Sequence, residues 1–259
     1  MTNAIQVVAV LGLGEAGTAI STDLLASGAT VRGFDPVTAG PDGVVKTGGD
    51  AEACAGADLV ISLTTAHESV AAFRAAAHGV SPGALYADLN TSSAGLKQEL
   101  AGLAAEHGIA FADVAIMAPM PGRGLRAPML VSGPAADDVA AALNGLGGNA
   151  QVLAGPAGAA ASRKLVRSVF YKGMAAAVTE SLRAGQAADC EEWLRASIAG
   201  EIGQAMLDRL EQGSQAHAVR RADEMSAAAE LLQELGVPDR IAAASRDWLL
   251  QLAEETTPR

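Results

Sequence analysis

Val7-Val8-Ala9-Val10-Leu11-Gly12-Leu13-Gly14-Glu15-Ala16-Gly17 decides how this chain folds. Its first five residues are an unbroken apolar run, as a strand covered on both faces requires. The run leads straight into a turn with the spacing G-x-G-x-x-G at Gly12, Gly14 and Gly17. Each glycine has a mechanical reason: a tight turn, close backbone approach to a pyrophosphate, and close packing of helix on strand. After the turn, Ala16, Ile20 and Leu24 form a helical stripe, and Gly28 closes the helix. The unpaired N–H groups at that helix's start, with its positive dipole end, form an anion site. A second strand, Ala29 to Phe34, ends in Asp35, 18 residues after Gly17. This is close to the spacing at which a carboxylate accepts hydrogen bonds from a ribose 2′-OH. A strand–turn–helix that binds nothing could carry the same glycines; the flanking strands and the placed acid favour a dinucleotide site.

Composition narrows the class. A chain of 259 residues holds one large or two ordinary domains with a substantial core. Half of it is hydrophobic but only 3% is aromatic, so packing rests on Ala, Val, Leu and Ile. A net charge of −11 argues against nucleic acid as a partner, since phosphate binding needs basic surface. Cys54 and Cys190 make no disulfide framework, and no His/Cys spacing suggests a metal. The N-terminal apolar run lacks a preceding basic region and is already assigned to a strand, so no signal peptide is read. The longest uncharged stretch, Asp138 to Arg163, is broken by five glycines, two asparagines and Pro156, so it is not a membrane span. A cytoplasmic location is expected.

The pattern continues as alternating strands and helices. Ala57 to Leu63 reads as a buried strand ending in Thr64-Thr65, at the carboxyl edge where ligands sit in such sheets. A helix over Glu68–Ala77 and a strand over Ala84–Leu89 follow. Asn90-Thr91-Ser92-Ser93 is a helix N-cap signature, and equally a place to hydrogen-bond a substrate. A helix from Ala94 to Glu106 and a strand over Ile109–Ala118 come next, with further strands at Met129–Ser132 and Ala150–Leu153. Such alternation implies a doubly wound, mostly parallel sheet with right-handed crossovers. From Pro156 on, helical patterns replace strands, so the expected domains are 1–155, dinucleotide-binding, and 156–259, all-helical. Gly155-Pro156 reads as a helix entrance with proline at the first position. The helix Ala157–Ala187 is apolar on more than one face, which predicts burial on several sides. Further helices are expected at Cys190–Leu210, Ala216–Leu235 and Asp239–Glu254.

Two places could carry chemistry. Lys164 lies on the long helix, with Ser168 and Tyr171 at i+4 and i+7 on the same, more polar face. Only four of the 18 basic residues are lysines, which sets Lys164 apart from a casual surface charge; Lys172 is its rival. A lysine in a partly desolvated cleft can act as acid or base beside a nicotinamide. Arg123 and Arg126, in the glycine-broken loop after Met120-Pro121-Gly122, suit bidentate capture of a carboxylate or phosphate, or are plain surface arginines. The four histidines have no partner at catalytic or metal spacing.

At these residues the chain resembles the β-hydroxyacid dehydrogenase family, which includes 3-hydroxyisobutyrate and 6-phosphogluconate dehydrogenases. The glycine motif with Asp35 matches that family's cofactor motif. Asp88-Leu89-Asn90-Thr91 is similar to its D-x-S-T stretch, and Ala118-Pro119-Met120-Pro121-Gly122 to its A-P-V-S-G. Gly155-Pro156-Ala157-Gly158 leading to Lys164 is similar to G-x-x-G-x-x-x-x-x-K. The resemblance implies a Rossmann domain with an all-α C-terminal domain, paired as a homodimer, and an anionic small-molecule substrate. It implies Lys164 as the catalytic group, with Asn90, Thr91, Gly122, Arg123 and Ser168 binding substrate. Gly12, Leu13, Gly14, Glu15, Ala16, Gly17, Asp35, Thr64, Thr65 and Asn90 would hold the cofactor. Asp35 implies NAD, with NADP as the alternative. The chain departs from the pattern at Asn90 and Pro121, where the family has serines, at Ser168, where it has asparagine, and at Asp223-Glu224, where it has K-D. Imine reductases share the architecture but usually carry Asp or Tyr at the position of Lys164. A non-catalytic dinucleotide-binding protein is the alternative from outside enzymology.

Overall fold

The computed structural model describes residues 5–256. They divide into two compact units, one ending at Lys164 and one starting at Leu165. The division expected from sequence, at 155/156, falls ahead of this point because the first turns of the long helix pack with the sheet unit.

The first unit runs β1 (Val7–Leu11), α1 (Glu15–Ala26), β2 (Thr30–Phe34), β3 (Val45–Lys46), α2 (Asp50–Cys54), β4 (Leu59–Ser62), α3 (Ser69–Ala77), β5 (Leu85–Asp88), α4 (Ala94–Glu106), β6 (Ala110–Ile116), β7 (Pro128–Ser132), α5 (Ala136–Gly145) and β8 (Asn149–Val152). One eight-stranded sheet has the order β3-β2-β1-β4-β5-β6-β7-β8. Every pairing is parallel except β6 with β7, which is antiparallel. This is the doubly wound sheet the alternation predicts. The chain runs outward from β1 to β3, then crosses back to β4 on the other side, so a crevice opens at the carboxyl ends of β1 and β4.

Side chains alternate across a strand, and both faces of β1 are covered. Val8 and Val10 join Ile20, Leu24, Leu59, Ile61 and Val139 on one face. Ala9 and Leu11 join Val60, Phe73, Tyr86, Leu100 and Phe111 on the other. Three of the chain's eight aromatics meet in that second layer, with Phe73 edge-on to Tyr86 at 5.0 Å and Tyr86 stacked on Phe111 at 6.0 Å. Pairs of this kind add roughly 0.5–1.5 kcal/mol beyond the area they bury.

The second unit holds the rest of α6 (Ala159–Ala187), then α7 (Glu191–Ile202), α8 (Gln204–Ala216), α9 (Ala218–Glu234) and α10 (Arg240–Thr256). Leu165 packs with Met225, Ala228, Ala229, Ala242 and Leu249. Val178 and Leu182 pack with Leu207 and Leu210. At Gly173 a Cβ would come within 2.7 Å of Ile241, so the glycine permits the close approach of α6 and α10.

Three expectations need correction. The helix read over Cys190–Leu210 is two, because Gly203 adopts φ 82° and ψ 144°, which no helix accommodates. Pro156 is not in the first turn of α6, since Gly158 at φ +93° delays the helix to Ala159. Burial of α6 on several sides is incomplete in the single chain, where Val166 and Phe170 are 50% and 61% exposed. Two short helices, α2 and α5, and the two-residue β3 were not read at all. Among the described residues no helix is long and apolar enough to cross a membrane. No cluster of His, Cys, Asp or Glu among them could hold a metal.

Candidate active site

The glycine turn has the shape its spacing predicts. Gly12 takes φ +90°, and a Cβ there would overlap the Leu63 carbonyl of the neighbouring strand end. A Cβ on Gly17 would overlap the Gly12 carbonyl, so helix α1 can lie this close to the turn only without one. Gly14 is different: nothing lies within 4 Å of where its Cβ would be. It is the N-cap of α1, and no side-chain hydrogen bond caps that helix end. Open space against bare backbone, at the positive end of a helix, fits the pyrophosphate of a dinucleotide. Leu13, Glu15 and Ala16 would contribute through this backbone; Glu15 itself is exposed.

Asp35 closes the other side of the turn. Its Oδ2 accepts from Leu13 N at 2.7 Å, and its Oδ1 from Val37 N and Thr38 N at 2.8 Å. Burial works against its charge, but these three backbone donors prevail and hold the carboxyl below the usual aspartate range. The acid stays ionised and keeps lone pairs for ribose hydroxyls.

From Gly12 the neighbouring strand ends lead step by step to Lys164. Gly12 abuts Leu63, and Thr64 next to it accepts from Asn90 Nδ2 at 3.3 Å. Asn90 also donates to Ser62 Oγ at 3.0 Å and to Asp88 Oδ1 at 2.5 Å. Its own Oδ1 is buried without a partner among the described residues, an acceptor left over for a ligand. Beside it, Thr91 Oγ1 accepts from Lys164 Nζ at 2.6 Å. Lys164 is half-buried on the second turn of α6. The sheet order β1-β4-β5 is what brings residues 12, 64, 90 and 91 to one edge.

The other candidates have local partners of their own. Thr65 Oγ1 accepts from Glu68 N at 3.3 Å and shapes the turn into α3. Gly122 and Arg123 lie exposed in the loop before β7, where Arg123 N donates to the Met120 carbonyl at 2.9 Å. Arg126 faces Asp23 of α1 at 3.7 Å. In the helical unit, Ser168 makes a short hydrogen bond to Glu224, and Lys172 pairs with the same carboxylate at 3.0 Å.

The sequence reading missed a buried ionic cluster under this edge. Lys97 of α4 is fully buried, with Nζ 2.9 Å from both Oδ2 and the carbonyl oxygen of Asp88, and 3.1 Å from Asp113 Oδ1. Burial alone would strip its proton, but the two carboxylates outweigh that and hold its ammonium form above the ordinary lysine range. Burial pushes the Asp88 carboxyl up; Lys97 draws it back only in part, and Asp113 adds to the rise. One signal was available: Asp113 is a charge inside the apolar strand Phe111-Ala112-Asp113-Val114, and such a charge needs a partner.

The fold and the glycine turn define a dinucleotide-binding α/β protein. Residues 7–146 match the family described as the NAD binding domain of 6-phosphogluconate dehydrogenase, and residues 186–252 match a domain of unknown function. The chain belongs to that first family, and the cofactor its domain takes is NAD. An NAD-dependent L-serine dehydrogenase of Pseudomonas aeruginosa is 30% identical over 118 residues, 42% of this chain and 40% of that enzyme's length. A conserved hypothetical protein of Sinorhizobium meliloti 1021 is 28% identical, with TM-score 0.72, over 96% of this chain and 88% of its own. The fold is also that of the Mycobacterium tuberculosis 3-hydroxyisobutyrate dehydrogenase solved with L-serine, at 20% identity and TM-score 0.77 over 97% and 94% of the two chains.

Proposed function

We propose that this protein is an NAD-dependent dehydrogenase of 3-hydroxy acids in which Lys164 is the general acid/base. The observation that carries the reading is the 2.6 Å contact of Lys164 Nζ with Thr91 Oγ1, next to Asn90 at the end of β5 and two strands from the glycine turn. NAD, when bound, supplies the hydride acceptor. The chain's own residues do the rest. As a free amine Lys164 takes the proton of the substrate hydroxyl; as an ammonium it returns that proton to the alkoxide in the reverse direction. Thr91 accepts from Lys164 and still has its own hydroxyl proton to donate to a substrate oxygen. The unpartnered Oδ1 of Asn90 accepts from a bound hydroxyl or amide. L-Serine is itself a 3-hydroxy acid, so the serine dehydrogenase relative supports the substrate class.

The test is a titration with NADH followed by a screen of 3-hydroxy acids that begins with L-serine. Turnover of at least one is expected; tight NADH binding with no turnover of any would favour a non-catalytic sensor. A further expected result concerns Asp35. Its replacement by alanine weakens NAD binding by about tenfold or more and NADP binding far less, since the carboxylate both grips the ribose and repels a 2′-phosphate. Fluorescence titration with NADH and NADPH checks this. An equal loss for both would reduce Asp35 to a brace for Leu13 N.

A further inference from the structure

We propose that the buried Lys97 is a positioning residue that sets both ends of the Thr91–Lys164 contact, one through Asp88 and the other through Asp113. The inference rests on the reading of Lys164 as the acid/base group. Lys97 cannot itself transfer protons to a substrate, for it is wholly buried and three oxygens surround its ammonium. Asp88, held by Lys97 through Oδ2, fixes the Asn90 amide through Oδ1, and Thr91 follows directly.

Asp113 works on the other end. Its Oδ2 accepts from Gly158 N at 3.1 Å, Ala161 N at 3.0 Å and Ser132 Oγ at 3.2 Å, while Ser132 Oγ accepts from Ala160 N at 2.9 Å. These N–H groups open α6 and have no partner within the helix. A carboxylate there also answers the helix's positive end. Lys164 stands three residues beyond Ala161, about one turn on. The two supports touch as well: a Cβ on Gly158 would come within 2.7 Å of the Ala94 carbonyl at the start of α4. Without the ammonium, two buried carboxylates would face each other, and both supports would shift.

Lys97→Met in the full chain tests this. Three readouts are taken: amide hydrogen exchange over residues 88–96 and 157–166 against 8–20, NADH affinity, and kcat and KM on the substrate found by the 3-hydroxy acid screen. The expected result is exchange faster by about tenfold or more in the first two segments alone. NADH affinity then stays within about twofold, while kcat falls about 10- to 100-fold, as small misplacements of a reacting group do. Exchange that rises evenly across the sheet, or an NADH affinity that falls with kcat, makes Lys97 a merely structural residue and overturns the proposal. Local exchange with unchanged kcat overturns it too. If the wild-type chain turns over none of the 3-hydroxy acids screened, the functional reading fails on its own and the exchange pattern still decides this one. Should Lys97→Met not fold, Asp113→Asn replaces it: faster exchange at 157–166 with 88–96 protected supports the two-armed device, and an even change in both segments overturns it.

Discussion

Lys164→Ala keeps NADH affinity and thermal stability near the wild-type values and lowers kcat by more than about 100-fold, the loss typical of a removed general acid/base. A hundredfold loss corresponds to about 2.7 kcal/mol of barrier. Stability is expected to hold because alanine is the best helix former and the position is half-buried rather than in the core. Affinity is expected to hold because the backbone of the glycine turn and the Asp35 carboxylate, not the Lys164 ammonium, would grip the dinucleotide. Steady-state kinetics on the substrate found by the 3-hydroxy acid screen, with NADH titration alongside, measures both halves. Near-normal turnover would pass the role to Lys172, which is tied to Glu224 and Ser168 by bonds of 3.0 and 3.4 Å. A matching fall in NADH affinity would instead make Lys164 a cofactor residue. The decisive point is the separation of binding from rate, which only a group acting on the reacting atoms produces.

How much of this was legible beforehand follows from the range over which each signal acts. The turn at residues 12–17 was readable because backbone sterics act locally: a φ of +90° at Gly12 and the missing Cβ at Gly17 leave marks within six positions. The strand ends were readable to within one residue, at Leu63 and Leu89 against the observed Ser62 and Asp88, because the apolar runs stop there. Helix α5 was overlooked although Ala136, Val139, Ala140 and Leu143 form a helical stripe, and β3 is too short to have a period. The break at Gly203 was obscured because the apolar stripe continues on both sides of it. Lys164 stood out by composition and by resemblance, but its partner Thr91 lies 73 positions away. The Lys97–Asp88–Asp113 cluster draws on three elements whose order in the sheet no local pattern fixes.

Two alanine substitutions three residues apart in the glycine turn are expected to fail in different ways. Gly17→Ala pushes a Cβ into the Gly12 carbonyl oxygen, a backbone atom with no flexible end to yield. Overpacking of this kind costs about 1–3 kcal/mol or more, which in a domain of this size lowers Tm by several degrees at about 2–4 °C per kcal/mol. Gly14→Ala meets nothing within 4 Å, and its φ of −64° is one any residue adopts. Its Tm therefore stays within about 1 °C of wild type, because the added methyl neither clashes nor strains the backbone. The same methyl fills the space where a pyrophosphate must approach bare backbone, so NADH affinity falls by an expected factor of about 10–100. Differential scanning fluorimetry with and without NADH reads both effects, since bound ligand raises Tm by mass action. The NADH-induced shift at a fixed NADH concentration should be much smaller in Gly14→Ala, while Gly17→Ala lowers the starting Tm. A full NADH shift in Gly14→Ala would mean that the open space beside Gly14 is not where the phosphates sit, and the glycine turn would then be a packing device for α1 alone.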